Sequence, residues 1–328
     1  GTLQLVPYAA LPNEKRNFFD MGITTQNQIS LNSGDNNGSF LLSYQNVNTK
    51  GIMPKDVLQR NTIRFAGRRN LNKFTADYSV SYTNQNVNTT STDAVYNNVF
   101  QTPAHVPLTR YSDITKPFSS INDYYNDYYQ NPYWSIENDR NKTTVNSLQG
   151  SASIGFQPLK WLSFNYRLAA TYSGTNFTNT IAEQIHSDYA KTNTTVIFAT
   201  EDGAGFDTVP FGVRAVSLNQ NASYINIKNT NFLWTSDFTT TIDKDIANKV
   251  NLKFIAGTSF IDNALTSSSV GADALNFNVY NVDSRIGLPS VGESSAQARR
   301  FGVFGDATIA YDNKIFINGS YRVDLDSR

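Results

Sequence analysis

Between residues 74 and 85 the chain reads FTADYSVSYTNQ, and apolar and polar side chains alternate without a break. Phe74, Ala76, Tyr78, Val80 and Tyr82 fall on one side; Thr75, Asp77, Ser79, Ser81 and Thr83 fall on the other. A period of two sends successive side chains to opposite faces of an extended strand, so one face is apolar and one polar. The same rhythm predicts about ten strands, near 24–34, 39–48, 60–68, 73–85, 143–156, 161–173, 229–242, 249–262, 299–311 and 315–324. In LSFNYRLAATY the row Leu162, Phe164, Tyr166, Leu168, Ala170 and Tyr172 opposes Ser163, Asn165, Arg167, Ala169 and Thr171. In NFLWTSDFTTTI, Phe232, Trp234, Phe238 and Ile242 oppose Asn231, Thr235, Asp237 and Thr239. IFINGSYRVD sets Ile315, Ile317, Tyr321 and Val323 against Asn318, Ser320, Arg322 and Asp324. The strand near 249–262 is the least regular, because Ile255 and Ile261 fall on its polar side.

Short turns (SGDNNG, GRRNLNK, QPLKW, DKDIANK, YDNK) alternate with long links near 49–59, 86–142, 174–228 and 263–298. An up-and-down outer-membrane barrel has this alternation, with tight turns on one side and long loops on the other. A soluble sandwich has loops of mixed length at both ends. Aromatic residues recur near the ends of the apolar rows, as in Phe74 and Tyr82, Tyr166 and Tyr172, and Tyr311 and Tyr321. Girdles at two bilayer interfaces have that placement. The stretch from Phe74 to Tyr82, tilted near 45°, would cover roughly 20 Å of membrane. The competing reading is a sandwich whose core holds the same aromatics. On the barrel reading Tyr78, Val80, Phe164, Leu168, Phe232 and Ile317 face lipid, and Asp77, Asn165, Arg167, Asp237 and Arg322 face the lumen.

Composition removes several classes of function. Lys plus Arg equals Asp plus Glu at 27 each, so no bulk field argues for nucleic acid or an anionic surface. With no Cys there are no disulfides and no thiolate-bound metals. A mean hydropathy of −0.40 and the lack of a long apolar run exclude a transmembrane helix but leave a barrel open. The opening residues GTLQLVPYAALPNEKRN have neither an initiator Met nor the build of a signal peptide, so maturation removed one or the chain is an internal piece. His105 and His186 belong to no metal-binding spacing, and no nucleophile elbow, phosphate loop or dinucleotide fingerprint is present. EDGAGFD offers Glu201, Asp202 and Asp207 to a Ca²⁺, yet does not fit an EF-hand loop. The N-x-S/T triplets at Asn88, Asn141 and Asn193 are what an Asn- and Thr-rich chain supplies by chance. The expectation is no enzyme, no cofactor and no metal.

One segment stands apart. INDYYNDYYQNPYW gathers Tyr124, Tyr125, Tyr128, Tyr129, Tyr133 and Trp134 in the long link before the strand at 143. Aromatics at that density need a partner: a sugar, another protein, or neighbouring loops.

The order of these hairpins resembles the middle of a SusC/RagA-type TonB-dependent transporter, an outer-membrane nutrient importer of Bacteroidetes. The resemblance runs nearly end to end. FFDMGITTQNQISLNSGDNNGSFLLSYQNVNTKGI is similar to the family's early barrel hairpin, ending at Gly-Ile before an external loop. NPYW followed by SASIGFQPLKWLSFNYRLAATY resembles its run from an external loop through a hairpin with a Lys-Trp-Leu turn. RRFGVFGDATIAYDNKIFINGSYRVDLDSR resembles the hairpin leading into R-x-D-x-S-x-R, with Val303 and Phe304 replacing the usual Arg-containing stretch.

The resemblance implies an all-β, up-and-down antiparallel transmembrane barrel in which these strands are part of about 22. Residues 1–23 would be a link and 24–328 a partial barrel with long extracellular loops. The family's plug domain and TonB-contacting segment are not expected within these residues. For the assembled transporter the resemblance implies energised import of glycans or peptides, with outer-membrane lipid, a SusD-like lipoprotein and TonB as partners. A passive porin, a secretion or adhesion scaffold and a secreted carbohydrate-binding module are the alternatives. Nothing in the patterns of the strands at 24–34 and 315–324 specifies a register between them, and the resemblance implies a larger barrel, so the two are expected not to pair with each other.

Overall fold

A computed structural model of the chain describes residues 8–116, 124, 130–185, 195–199, 206–210 and 219–327. Ten long strands form one antiparallel sheet: β1 (Ile23–Asp35), β2 (Gly38–Lys50), β3 (Val57–Leu71), β4 (Phe74–Thr89), β5 (Asp139–Leu159), β6 (Leu162–Ile181), β9 (Ala222–Ala247), β10 (Val250–Leu275), β11 (Ser290–Tyr311) and β12 (Ile315–Ser327). Each pairs with its neighbour in chain order, and β1 and β12 lie at opposite edges, unpaired with one another. Two short strands, β7 (Thr195–Ala199) and β8 (Phe206–Pro210), form a separate hairpin.

Two of the short turns use residues that tolerate a left-handed backbone, while the β9–β10 turn places Lys249 there at φ of 67°. Asn72 has φ of 54°, and Asp312 and Asn313 have φ of 48° and 53°. Asn and Asp adopt this conformation at lower cost than other residues with a side chain, and it suits tight hairpins.

All ten strands expected from the alternation are present, but those on the long-link side run further than expected. β9 and β10 each extend over 26 residues. The links expected at 86–142, 174–228 and 263–298 shrink to 90–138, 182–221 and 276–289. The reason is local. In residues 173–180 (SGTNFTNT) and 266–274 (TSSSVGADA) both faces are largely polar, so the period-two signal fades while the hydrogen-bonded ladder continues.

The link between β4 and β5 folds, with the segment before β1, into a small helical cap. It holds α1 (Glu14–Phe18), α2 (Thr92–Gln101), a 3-10 turn at Leu108–Tyr111 and α3 (Pro132–Asn138). α3 starts where its sequence dictates: Pro132 occupies the first turn, and the Asn131 side chain accepts from the Tyr133 N–H. In α2, Val95 and Val99 lie one turn apart and are both buried. With Phe18, Met53, Leu108, Tyr124 and Ile136 they form a hydrophobic cluster.

Candidate functional site

Cross-strand register defines the two faces of the wall. One row runs Ser39, Arg68, Asp77, Ser153, Arg167, Asp237, Ser259, Gly302, Asp324 from β2 to β12. The row below it includes Thr75, Gly155, Asn165, Thr239, Gly257, Phe304 and Arg322. Residues directly opposite in an antiparallel pair share a face, so Asp77, Asn165, Arg167, Asp237 and Arg322 all lie on the same polar face. Arg68 pairs with Asp77 at 2.6 Å, Arg322 with Asp324 at 2.8 Å, and Arg300 with Asp326 at 3.3 Å. An open bay of about 800 Å³ lies over β1 to β6, bordered by Arg68, Asp77 and Arg167 and floored by Ser39, Ser79 and Ser151. Ile255 and Ile261 do sit on this polar face, opposite Thr241 and Thr235, so the irregularity seen in the sequence is real.

The opposite face is apolar and uncovered. Tyr78, Val80, Leu168, Phe232 and Ile317 lie on it, and all five are exposed. Phe74, Phe156, Phe164 and Phe238 form a stacked aromatic run, with successive ring centroids 4.6, 6.4 and 6.3 Å apart. A second row, Tyr44, Ile63, Tyr82, Leu148, Tyr172 and Phe232, crosses β2 to β9. Just above it the face turns to amides. Tyr44 donates to Asn61 at 2.9 Å, and Tyr82 donates to Asn146 at 2.9 Å.

The apolar band does not follow a single pairing row. On β4 it ends at Tyr82, whose row continues through Leu148, Tyr172 and Phe232 to Ala264 and Gln297. On β10 and β11 the band ends four residues lower, at Phe260 and Phe301. A band that slides against the pairing rows is what strands tilted across a flat layer require. The Asp262–Arg299 ion pair, at 3.0 Å, lies on this face above Phe260 and Phe301, outside the apolar band.

The aromatic segment divides. Tyr124 and Trp134 are buried, at 6 % and 8 % exposure, so of the partners the sequence leaves open these two have the protein itself. The Tyr124 ring meets Tyr111 edge-on at 5.1 Å, and its hydroxyl lies 3.3 Å from the Thr102 Oγ1. Tyr133 packs edge-on against Phe18 at 4.8 Å. Burial, reinforced by the carboxylates of Glu14 and Asp20, pushes the Tyr133 hydroxyl up to about 12. Tyr125, Tyr128 and Tyr129 lie outside the described residues.

Beneath the cap, buried Arg140 donates to Asp56 at 3.2 Å, Asn88 at 3.0 Å and the carbonyls of Ile136 and Lys55 at 3.0 Å each. Asp56 also accepts from the Thr90 N–H at 2.9 Å. Burial nevertheless holds the Asp56 carboxyl above its ordinary value, against the pull of Thr90 and Arg140. Nothing in the sequence pattern marks this cluster, because its members come from two links and from the ends of β4 and β5.

His105 packs against Tyr8 with the rings tilted by 42° and their centroids 4.7 Å apart. His186, Glu201 and Asp202 lie outside the described residues, as does the side chain of Asp207. Among the described residues no group of His, Cys, Asp or Glu could hold a metal ion, and no helix is long and apolar enough to cross a membrane.

The same fold, an up-and-down antiparallel β-barrel wall, is found in solved importer structures. The RagAB peptide importer in its open-open state superposes with a TM-score of 0.68 at 14% identity, over 96% of this chain and 33% of that one. The ferric-catecholate import receptor Fiu from E. coli K12, in its closed form, gives 0.51 at 11% identity, over 93% and 40%. The chain thus spans about a third of the length of the RagAB importer chain it matches. No family model and no curated protein matches the sequence.

Proposed function

We propose that this chain forms wall, and an extracellular cap, in a TonB-dependent importer of the bacterial outer membrane. The observation that carries the reading is the uncovered apolar face. Val80 is 45 % exposed, Leu168 42 % and Ile317 69 %, and side chains of that kind need lipid or protein against them. With that face toward lipid, Asp77, Asn165, Arg167, Asp237 and Arg322 point into the lumen. Both edges of the sheet carry unpaired backbone groups, which lipid does not tolerate, so further strands complete the barrel.

The cap lies on the side of the long links, where the family resemblance sets a SusD-like lipoprotein over the entrance and brings in glycans or peptides. Within 122–134, Tyr124 and Trp134 are buried, and the aromatic density of the sequence supports contact with solute or lipoprotein by Tyr125, Tyr128 and Tyr129.

The test is uptake by cells whose outer membrane carries the assembled transporter, with and without TonB. Uptake lost when TonB is deleted supports the reading. Uptake that persists makes the barrel a passive pore. Recovery of the protein without detergent would remove it from the membrane altogether. Replacing Tyr128 and Tyr129 with Ala should lower uptake or lipoprotein capture while the barrel still assembles.

A further inference from the structure

The polar face is not evenly charged. Over β1 to β6 it carries Arg60, Arg64, Arg68 and Arg167 against only Asp77 and, at the far start of β5, Asp139. Over β9 to β12 it carries Asp237, Asp243, Asp245, Asp306, Asp324 and Asp326 against Lys253, Arg300 and Arg322, with the two arginines paired to Asp326 and Asp324. Three of the cations form a column. Arg60, Arg64 and Arg68 recur every fourth residue of β3, so they share a face at spacings of about 13 Å.

Only the lowest of the three is answered: Arg68 pairs with Asp77. Arg64 lies between Ser43 and Ser81, and Arg60 between Val47 and Gln85. Neither makes an ion pair among the described residues. Both sit on the long-link side of Arg68, toward the cap. A guanidinium offers a planar fork of donors that matches a carboxylate, and a low-dielectric wall lined by one sign of charge concentrates the opposite ion.

We propose that Arg60 and Arg64 form a track for carboxylate-bearing solute, so that the importer selects acidic cargo. The proposal rests on the importer reading above. It gives the acidic half of the wall a complementary part, since Asp237 and its neighbours repel the same cargo toward β3.

The experiment compares matched probes in cells carrying the assembled transporter. One pair is a Glu-rich tetrapeptide and its Gln counterpart; the other is an oligogalacturonate and its methyl ester. Acidic probes should enter faster than their neutral partners, and the preference should weaken in high salt. In Arg60→Gln with Arg64→Gln, acidic uptake should fall about tenfold while neutral uptake holds. Arg60→Lys with Arg64→Lys keeps the charge and should retain the preference.

Equal uptake of both members of each pair by the unaltered protein overturns the track but leaves the importer standing. An equal fall for acidic and neutral probes in the Gln variant, shared by the Lys variant, makes the arginines structural and also overturns it. Failure of all four probes to enter overturns the importer reading, and the track with it.

Discussion

Phe18 in the cap is 1 % exposed, while Phe74 on the wall is 49 % exposed, and both belong to aromatic clusters. The difference is one of solvent. The cap sits among water-facing links and must bury its own apolar groups, so Phe18, Val95, Val99 and Leu108 close on one another. The wall leaves its apolar rows open and is held by backbone ladders between neighbouring strands. Its side chains need an outside partner, and a lipid layer supplies one. The cap should therefore respond to mutation like a soluble domain and the wall like a membrane barrel.

The largest expected effect is in the cap. Phe18→Ala removes a buried aromatic ring and should destabilise the cap by about 3–5 kcal/mol. Hydrogen exchange should show α1, α2 and α3 losing protection while the amides of β4 to β6 keep theirs. If wall and cap lose protection together, they fold as one unit and the comparison fails. On the wall, Leu168→Arg should cost about 2–4 kcal/mol near the membrane midplane. The adjacent Ala169→Arg, on the polar face opposite Ser151 and Thr235, should cost far less. Refolding into lipid vesicles measures both, and a reversed order would exchange the two faces.

A smaller effect sharpens the same point. A Cβ on Gly67 would collide with the Tyr78 hydroxyl and crowd the carbonyl oxygen of Ser39. Gly67→Ala should therefore push Tyr78 off the strand and cost about 1–3 kcal/mol, as overpacking does in a core. Vesicle refolding reads the cost, and Tyr78→Phe should relieve part of it by removing the clashing oxygen. A neutral Gly67→Ala would mean that lipid yields where a protein core would not.

The wall was legible because its signal is strictly periodic. Phe74 to Tyr82 and Leu162 to Tyr172 betray strand, face and band at once. The legibility ends where the bilayer does. Ser267, Ser268 and Ser269 say nothing about facing, yet they are paired on both sides in β10. The cap was hidden for a different reason. Its helices span five, ten and seven residues, too short for periodicity to stand out, and its core joins residues from Phe18 to Ile136. The Asn131–Pro132 start of α3 was the one local signal available, and it reads equally well as a turn. The aromatic density around Tyr124 and Trp134 was visible; that Tyr124 serves packing depends on Tyr111 and Thr102, which arrive from earlier in the link.

The smallest effect is a pH dependence confined to the cap. Tyr133 holds its proton in the folded cap up to about 12, against 10.0 when unfolded, because burial and then the Glu14 and Asp20 carboxylates disfavour the phenolate. A folded-state value raised above the unfolded one means that the native cap keeps a proton the unfolded chain releases. The contribution is thus fully present below pH 10.0 and is lost as pH rises toward about 12. Protease protection of the cap should fall across that window, while the wall, followed by its heat-dependent migration in gels, stays unchanged. Tyr133→Phe keeps the ring against Phe18 and removes the ionisable hydroxyl, so it should flatten the fall without weakening the cap at neutral pH. If the Phe variant loses protection over the same window, another group sets the alkaline limit. If the wall loosens first, the cap is not the more easily opened of the two regions.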